Sequence, residues 1–140
     1  TETTQPIYEG GCHCGDIRYR VTGAAIFAAY CHCHSCTMSS GAPLVGWATF
    51  DEKSFAFTKG RPTVRVSSPP VHRTSCPTCG SALTNTHAER ADQIDVTLAT
   101  FDDPVGIAPM CHVWVSEKRP WFTIGDDLPR FSEWPGSTPA

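Results

Sequence analysis

Residues 75–81 read SCPTCGS, and residues 11–16 read GCHCGD. Each stretch places two cysteines close together with a glycine directly after the second. In the first, Pro77 sets a turn after Cys76, and Gly80 lets the backbone turn past Cys79. Backbone N–H groups can then donate to sulfur. A knuckle of this kind supplies two thiolates, and a tetrahedral structural zinc site needs two more. Cys12 and Cys14, with Gly15 in the same role, offer them from a distant part of the chain. The reading is a four-cysteine clasp of Cys12, Cys14, Cys76 and Cys79 that ties an N-terminal strand to the middle of the fold.

A further cluster lies in YCHCHSC, residues 30–36, as Cys31, Cys33 and Cys36. Catalytic zinc commonly has three protein ligands and an open fourth position. A closed site with Cys111 or a histidine as fourth ligand uses the same three residues, and so would an iron–sulfur cluster. Spacing alone leaves open and closed sites level.

The chain has 8 cysteines, an even number, so disulfides have to be weighed. All but Cys111 fall in tight groups. Neighbours in C-x-C and C-x-x-C are poorly placed to bridge each other and well placed to share an ion, so metal binding is the better reading. Cys111 sits in PMCHVWVSE, residues 109–117, which alternates like a strand. That pattern puts Cys111 and Val113 on one face, His112 and Trp114 on the other. A cysteine beside valine reads as a small buried hydrophobe rather than a ligand. His13, His32 and His34 alternate with the cysteines, so their side chains are expected to point away from the metal. His112 is the one histidine kept as a weak catalytic candidate.

The chain has 140 residues, which fits one domain with its own core. The formal net charge is -3, and the 11 Lys and Arg are scattered. Nucleic acid and anionic membrane surfaces are therefore not expected partners. The longest apolar run, AAIFAAYC, is far short of the roughly twenty residues a membrane helix needs. The start, TETTQPIYEGG, shows no basic and apolar leader, so a cytoplasmic location is the expectation.

Twelve Pro and 11 Gly punctuate stretches rich in aromatic and β-branched residues. DIRYRVTG, IFAAYCHC, LVGWATF, SFAFTKG, TVRVSS, ALTNTH, QIDVTLATFDDP, MCHVWVSE and WFTIGDDLP are expected as short strands. Residues 1–6 are expected as a loose arm, and CTMSSGAP as a turn or one short helical turn. The sum is a mainly β, antiparallel sheet fold with its loops pinned by two metal sites.

GGCHCGDIRYRV, YCHCHSCTMSSGAPLVGWATF, RTSCPTCGSAL and HVWVSEKRPWFTIGDDLPRF occur in this order. Together they resemble the glutathione-dependent formaldehyde-activating enzyme family, also called the centromere protein V family, over about residues 8–133 of a single domain. The resemblance implies a β-tent fold pinned by two zinc ions per chain. Cys12, Cys14, Cys76 and Cys79 would hold the structural one. Cys31, Cys33 and Cys36 would hold the second, with an exchangeable fourth ligand, and Cys111 departs from the family pattern. The implied reaction joins formaldehyde to glutathione, giving S-hydroxymethylglutathione, and is classed with carbon–sulfur lyases in reverse.

The partners implied are a small-molecule thiol such as glutathione and a small carbonyl. Arg61, Arg65, Arg73, Lys118 and Arg119 are available for the carboxylates of such a thiol. A three-thiolate zinc is soft, which favours an incoming sulfur over a hard hydroxide. The non-enzymatic alternative is a zinc-stapled β domain. It would present Trp47, Trp114 and Trp121 to a protein partner, or sense oxidants through labile thiols.

Overall fold

The computed structural model describes residues 5–67 and 70–140. Most of the expected N-terminal arm and the end of TVRVSS lie outside them. The chain is mainly β, in two sheets. The smaller sheet is antiparallel, with β1 (Ile7–Gly11), β2 (Arg18–Thr22) and β5 (Phe55–Lys59) in the order β1-β2-β5. The larger contains β3 (Phe27–Cys31), β4 (Val45–Asp51), β6 (Thr63–Val66), β7 (Val71–Ser75), β8 (Ala82–His87), β9 (Gln93–Thr97) and β10 (His112–Val113). Its order is β10-β3-β4-β9-β8-β7-β6. Among the described residues the one α-helix is α1 (His34–Ser40), held between β3 and β4.

Strand alternation divides the interior in two. Ala28 pairs with Ala48, Ala48 with Val96, and Phe50 with Ile94. These side chains turn to a core completed by Tyr19 and Val21 of β2 and by Phe101. Tyr19 closes it with a hydrogen bond to Thr100 Oγ1 at 2.8 Å and an edge contact on Phe101. The alternate residues of β3 and β4, Ala29, Cys31 and Trp47, face the other way and form a second cluster with Cys36, Cys111 and Val113. The large sheet thus separates an apolar core from a face that carries sulfur.

The small sheet is clamped to the turn after β9. Arg18 makes a two-pronged ion pair with Asp102, and Asp102 N donates to Glu9 O at 2.9 Å. The Arg18 hydrogen bonds hold the Asp102 carboxyl below its ordinary value. Its contribution to stability is therefore complete above the unfolded value near 4 and is lost as pH falls through the folded one. Asp102 is exposed, so the effect is about 0.5 kcal/mol or less. Asp102→Asn is expected to lower the urea midpoint slightly at neutral pH and to match the unaltered chain only at a pH below the lowered folded value, where both side chains are neutral. An equal gap at both pH values would contradict this.

Several expectations need correction. MCHVWVSE is strand only at His112–Val113, and β10 pairs with β3 in parallel, not antiparallel. At Trp114 the backbone turns left-handed, with φ 58°, and a 3-10 turn follows at Val115–Glu117. Trp114 therefore leaves the face of His112 and packs on the sulfur-bearing cluster, edge-on to Trp134 at 5.9 Å. WFTIGDDLP forms no strand. Asp126 accepts from Leu128 N at 3.0 Å, and Lys118 Nζ donates to Phe122 O, so local side-chain bonds replace ladder bonds. β9 ends at Thr97, where Thr100 Oγ1 donates to Thr97 O at 2.8 Å, and Leu98 opens a 3-10 turn. β7 was not among the expected strands.

Candidate functional site

Cys12 closes β1 and Cys76 follows β7, and the 12–17 and 76–81 turns meet. The sulfurs of Cys12, Cys14, Cys76 and Cys79 all lie within 4.8 Å of one another. Gly15 and Gly80 have φ of 85° and 81°, so each turn needs a residue free to go left-handed. With that turn made, Gly15 N donates to Cys12 O at 3.2 Å and Gly80 N to Cys76 O at 2.9 Å. Ile17 N donates to the Cys12 sulfur at 3.2 Å, Thr78 N to the Cys76 sulfur at 3.3 Å and Cys79 N to it at 3.4 Å. Hydrogen bonds from Ser81 pull the Cys79 thiol down to about 5. Four preset sulfurs with amide donors fit a tetrahedral soft cation. Zn–S bonds of about 2.3 Å require sulfurs roughly 3.8 Å apart. Cys12–Cys14 and Cys14–Cys76 stand at 3.6 and 3.7 Å.

The second cluster forms where β3 runs into α1. Cys31 ends the strand, Cys33 caps the helix by accepting from Cys36 N at 3.3 Å, and Cys36 lies in the first turn. Their sulfurs also lie within 4.8 Å of one another. Contacts with Cys33 and Cys36, together with burial, push the Cys31 thiol far up; the same contacts pull Cys36 down. One sulfur therefore carries charge at the expense of its neighbours, and a cation is what would let all three ionise. Among the described residues no fourth His, Cys, Asp or Glu joins the group. Cys111 is buried in the adjoining apolar cluster, with burial raising its thiol. Both clusters can thus hold metal ions.

A cavity of about 640 Å³ opens on Cys31, Cys33 and Cys36. Phe27, Trp47, Val113 and Trp114 give it apolar walls, and Trp134 stands half-exposed at its edge. A polar row crosses its floor. Thr49, Asp95, Asn85 and Arg73 are successive register partners on β4, β9, β8 and β7, so they share one face. Thr49 Oγ1 donates to Asp95 at 2.7 Å, Arg90 to Asp95 at 3.0 Å, and Arg73 to Asn85 at 3.2 Å. Arg73 also reaches to 4.0 Å from the Cys36 sulfur. Of the five basic residues considered from sequence, Arg73 alone lines this cavity; Arg119 is bound to Thr37 and Lys118 to Phe122.

His32 and His112 point elsewhere, whereas His87 lines the cavity with its Nε2 3.7 Å from Asp95. His32 is fully buried, and its Nε2 lies 2.8 Å from His112 Nδ1; His112 Nε2 lies 2.9 Å from Asp126. One ring nitrogen of the His32–His112 contact donates and the other accepts. Burial, with help from His112, takes His32 down to about 4, so it stays neutral. This chain of side chains lies behind β3, and neither histidine lines the cavity. Trp47 and Trp114 share the cavity wall, while Trp121 is exposed outside it.

A family model described as glutathione-dependent formaldehyde-activating enzyme matches residues 7–117, a span that holds both cysteine clusters. The chain belongs to that family. Membership relates this family chain to glutathione-linked, formaldehyde-activating enzymes. A crystal structure of a Rhodobacter sphaeroides protein is similar in fold, with a TM-score of 0.58 and 22% identity. The similarity covers 72% of this chain and 91% of that one. No curated protein matches the sequence. Among the described residues no helix is long and apolar enough to cross a membrane.

Proposed function

We propose that residues 1–140 form a single domain that acts as a zinc-dependent enzyme of the carbon–sulfur lyase type. It joins a thiol, glutathione or a relative, to formaldehyde or another small carbonyl, or runs the reverse. One observation carries this reading. Three cysteine sulfurs meet at the wall of a large cavity, and no protein side chain among the described residues completes their set.

A zinc ion held by Cys31, Cys33 and Cys36 would supply a soft coordination position that takes an incoming sulfur and keeps it deprotonated. The rest of the chemistry falls to the protein and the substrates. Phe27, Trp47, Val113 and Trp114 exclude water from the reacting sulfur and carbonyl. The thiolate pair forms the C–S bond, the carbonyl becomes an alkoxide, and one proton is taken up. In reverse the adduct's hydroxyl gives up that proton to become the alkoxide, which re-forms the carbonyl and expels the thiolate. The proton comes from water at the cavity mouth. His112 is held by His32 and Asp126 away from the lining, and steadies the Cys31–Cys33 segment instead. Arg73 sets a cation beside the Cys36 sulfur, which offsets crowded negative charge.

Cobalt substitution tests the open site. With cobalt in place of zinc, glutathione is expected to intensify the sulfur-to-cobalt charge-transfer band, and S-methylglutathione to leave it unchanged. A spectrum indifferent to glutathione would mean a closed centre and favour a stapled scaffold.

A further inference from the structure

A second, smaller cavity lies on the other side of Cys36. It measures about 240 Å³ and shares Cys36, Trp47, Arg73 and Asn85 with the large one. The remainder of its lining is hydroxyl-rich, with Ser39, Ser40 and Thr74, and it adds a second arginine, Arg65.

The arginine pair is the unusual feature. Arg65 and Arg73 are direct register partners on β6 and β7, so their side chains leave the same face of the sheet side by side. Like charges placed directly opposite repel, and such pairs are disfavoured unless an anion lies between them. Arg73 is partly occupied by Ser67, Asn85 and the Cys36 sulfur. The Arg65 side chain has neither a hydrogen bond nor an ion pair among the described residues. Among the described residues no carboxylate joins the lining of this cavity. The buried indole N–H of Trp47, in the wall common to both cavities, also lacks an acceptor. Unused donors and unpaired positive charge thus gather beside the sulfur cluster.

We propose that Arg65 and Arg73 form a subsite for a carboxylate of the thiol substrate, held next to the Cys36 sulfur. Size supports a fragment and not a whole molecule. Sites for complete small ligands run from about 300 Å³ upward; this cavity is smaller, and the large one beside it takes the remainder. The two-cavity arrangement then selects thiols that carry a carboxylate over simple alkyl thiols. The assignment rests on the reading above that a thiol docks at Cys31, Cys33 and Cys36.

Titration calorimetry with S-methylglutathione on the zinc-loaded protein tests it. This probe has both carboxylates and no thiol, so its binding is independent of whether the reaction proposed above occurs. Binding is expected to weaken by roughly fivefold in Arg65→Gln, as for loss of one partly exposed charge-assisted contact. Arg65→Lys is expected to restore much of it, and Arg61→Gln, outside the cavity, to change nothing. The S-methylglutathione diethyl ester, with its carboxylates blocked, is expected to bind weakly and to be insensitive to Arg65→Gln. Equal binding of acid and ester, or an Arg65→Gln protein that binds the acid normally, would overturn the subsite. Inorganic phosphate that competes with the acid only when Arg65 is present supports a shared anion pocket. Phosphate binding there without any binding of the acid would overturn the substrate assignment in favour of a free-anion site.

Discussion

Cys76→Ser is expected to leave the chain largely unfolded at physiological temperature, even with zinc in excess. Cys76 is 2% exposed and packs in the main core with Ile17, Tyr19 and Leu83. Its sulfur accepts from two backbone amides and stands 3.7 Å from Cys14, across a gap of 62 residues in sequence. Structural zinc contributes an apparent ~10–16 kcal/mol in small domains, against a net stability of about 5–15 kcal/mol for a whole domain. Losing one of four thiolates removes a large part of that term and buries a hydroxyl where sulfur had amide partners. His13→Ala is the matched control. His13 lies in the facing 12–17 turn of the same clasp, its side chain is exposed, and only its backbone N–H is used, toward Ser81 at 3.0 Å. It is expected to shift stability by about 0.5 kcal/mol or less. Thermal melts followed by circular dichroism decide the matter. A Cys76→Ser protein that melts cooperatively near the unaltered one would remove the clasp from the account.

Cys33→Ser is expected to have the opposite profile, a folded protein without activity. Cys33 is half-buried and serves as the N-cap of α1. Serine is itself a favoured N-cap, so the helix start survives the change. The loss falls on the metal set. Altering groups that only orient metal ligands costs 10–100-fold, so removing a ligand is expected to lower turnover by about 100-fold or more. Metal analysis is expected to show the second ion lost or weakly held while the first remains. Unchanged metal content together with unchanged turnover would break the link between this cluster and the chemistry.

What was legible in the sequence was what the chain writes locally. Cysteines two and three positions apart can converge on one ion by local geometry alone, so each C-x-C and C-x-x-C stood out before any fold was known. Alternation in DIRYRVTG and LVGWATF marked strands because one face of each is buried. The polar row of Thr49, Asp95, Asn85 and Arg73 was not legible, because it depends on register across four strands. For the same reason Arg73 could not be told from Arg61 or Arg119, nor Arg65 recognised as its partner. Trp114 misled because nothing in its type announces a left-handed backbone; bonds with residues 131–133 hold it there. The 121–129 stretch carried strand-like residues, yet Asp126 and the Lys118 ammonium satisfied its backbone locally.

The most direct test is exchange spectroscopy on labelled formaldehyde and glutathione at equilibrium, with the protein zinc-loaded or stripped. The account predicts that free aldehyde and S-hydroxymethyl adduct interconvert faster than in buffer only with the zinc-loaded protein, and that Cys33→Ser abolishes the gain. Interconversion no faster than in buffer would contradict formaldehyde–glutathione chemistry at the three-cysteine site.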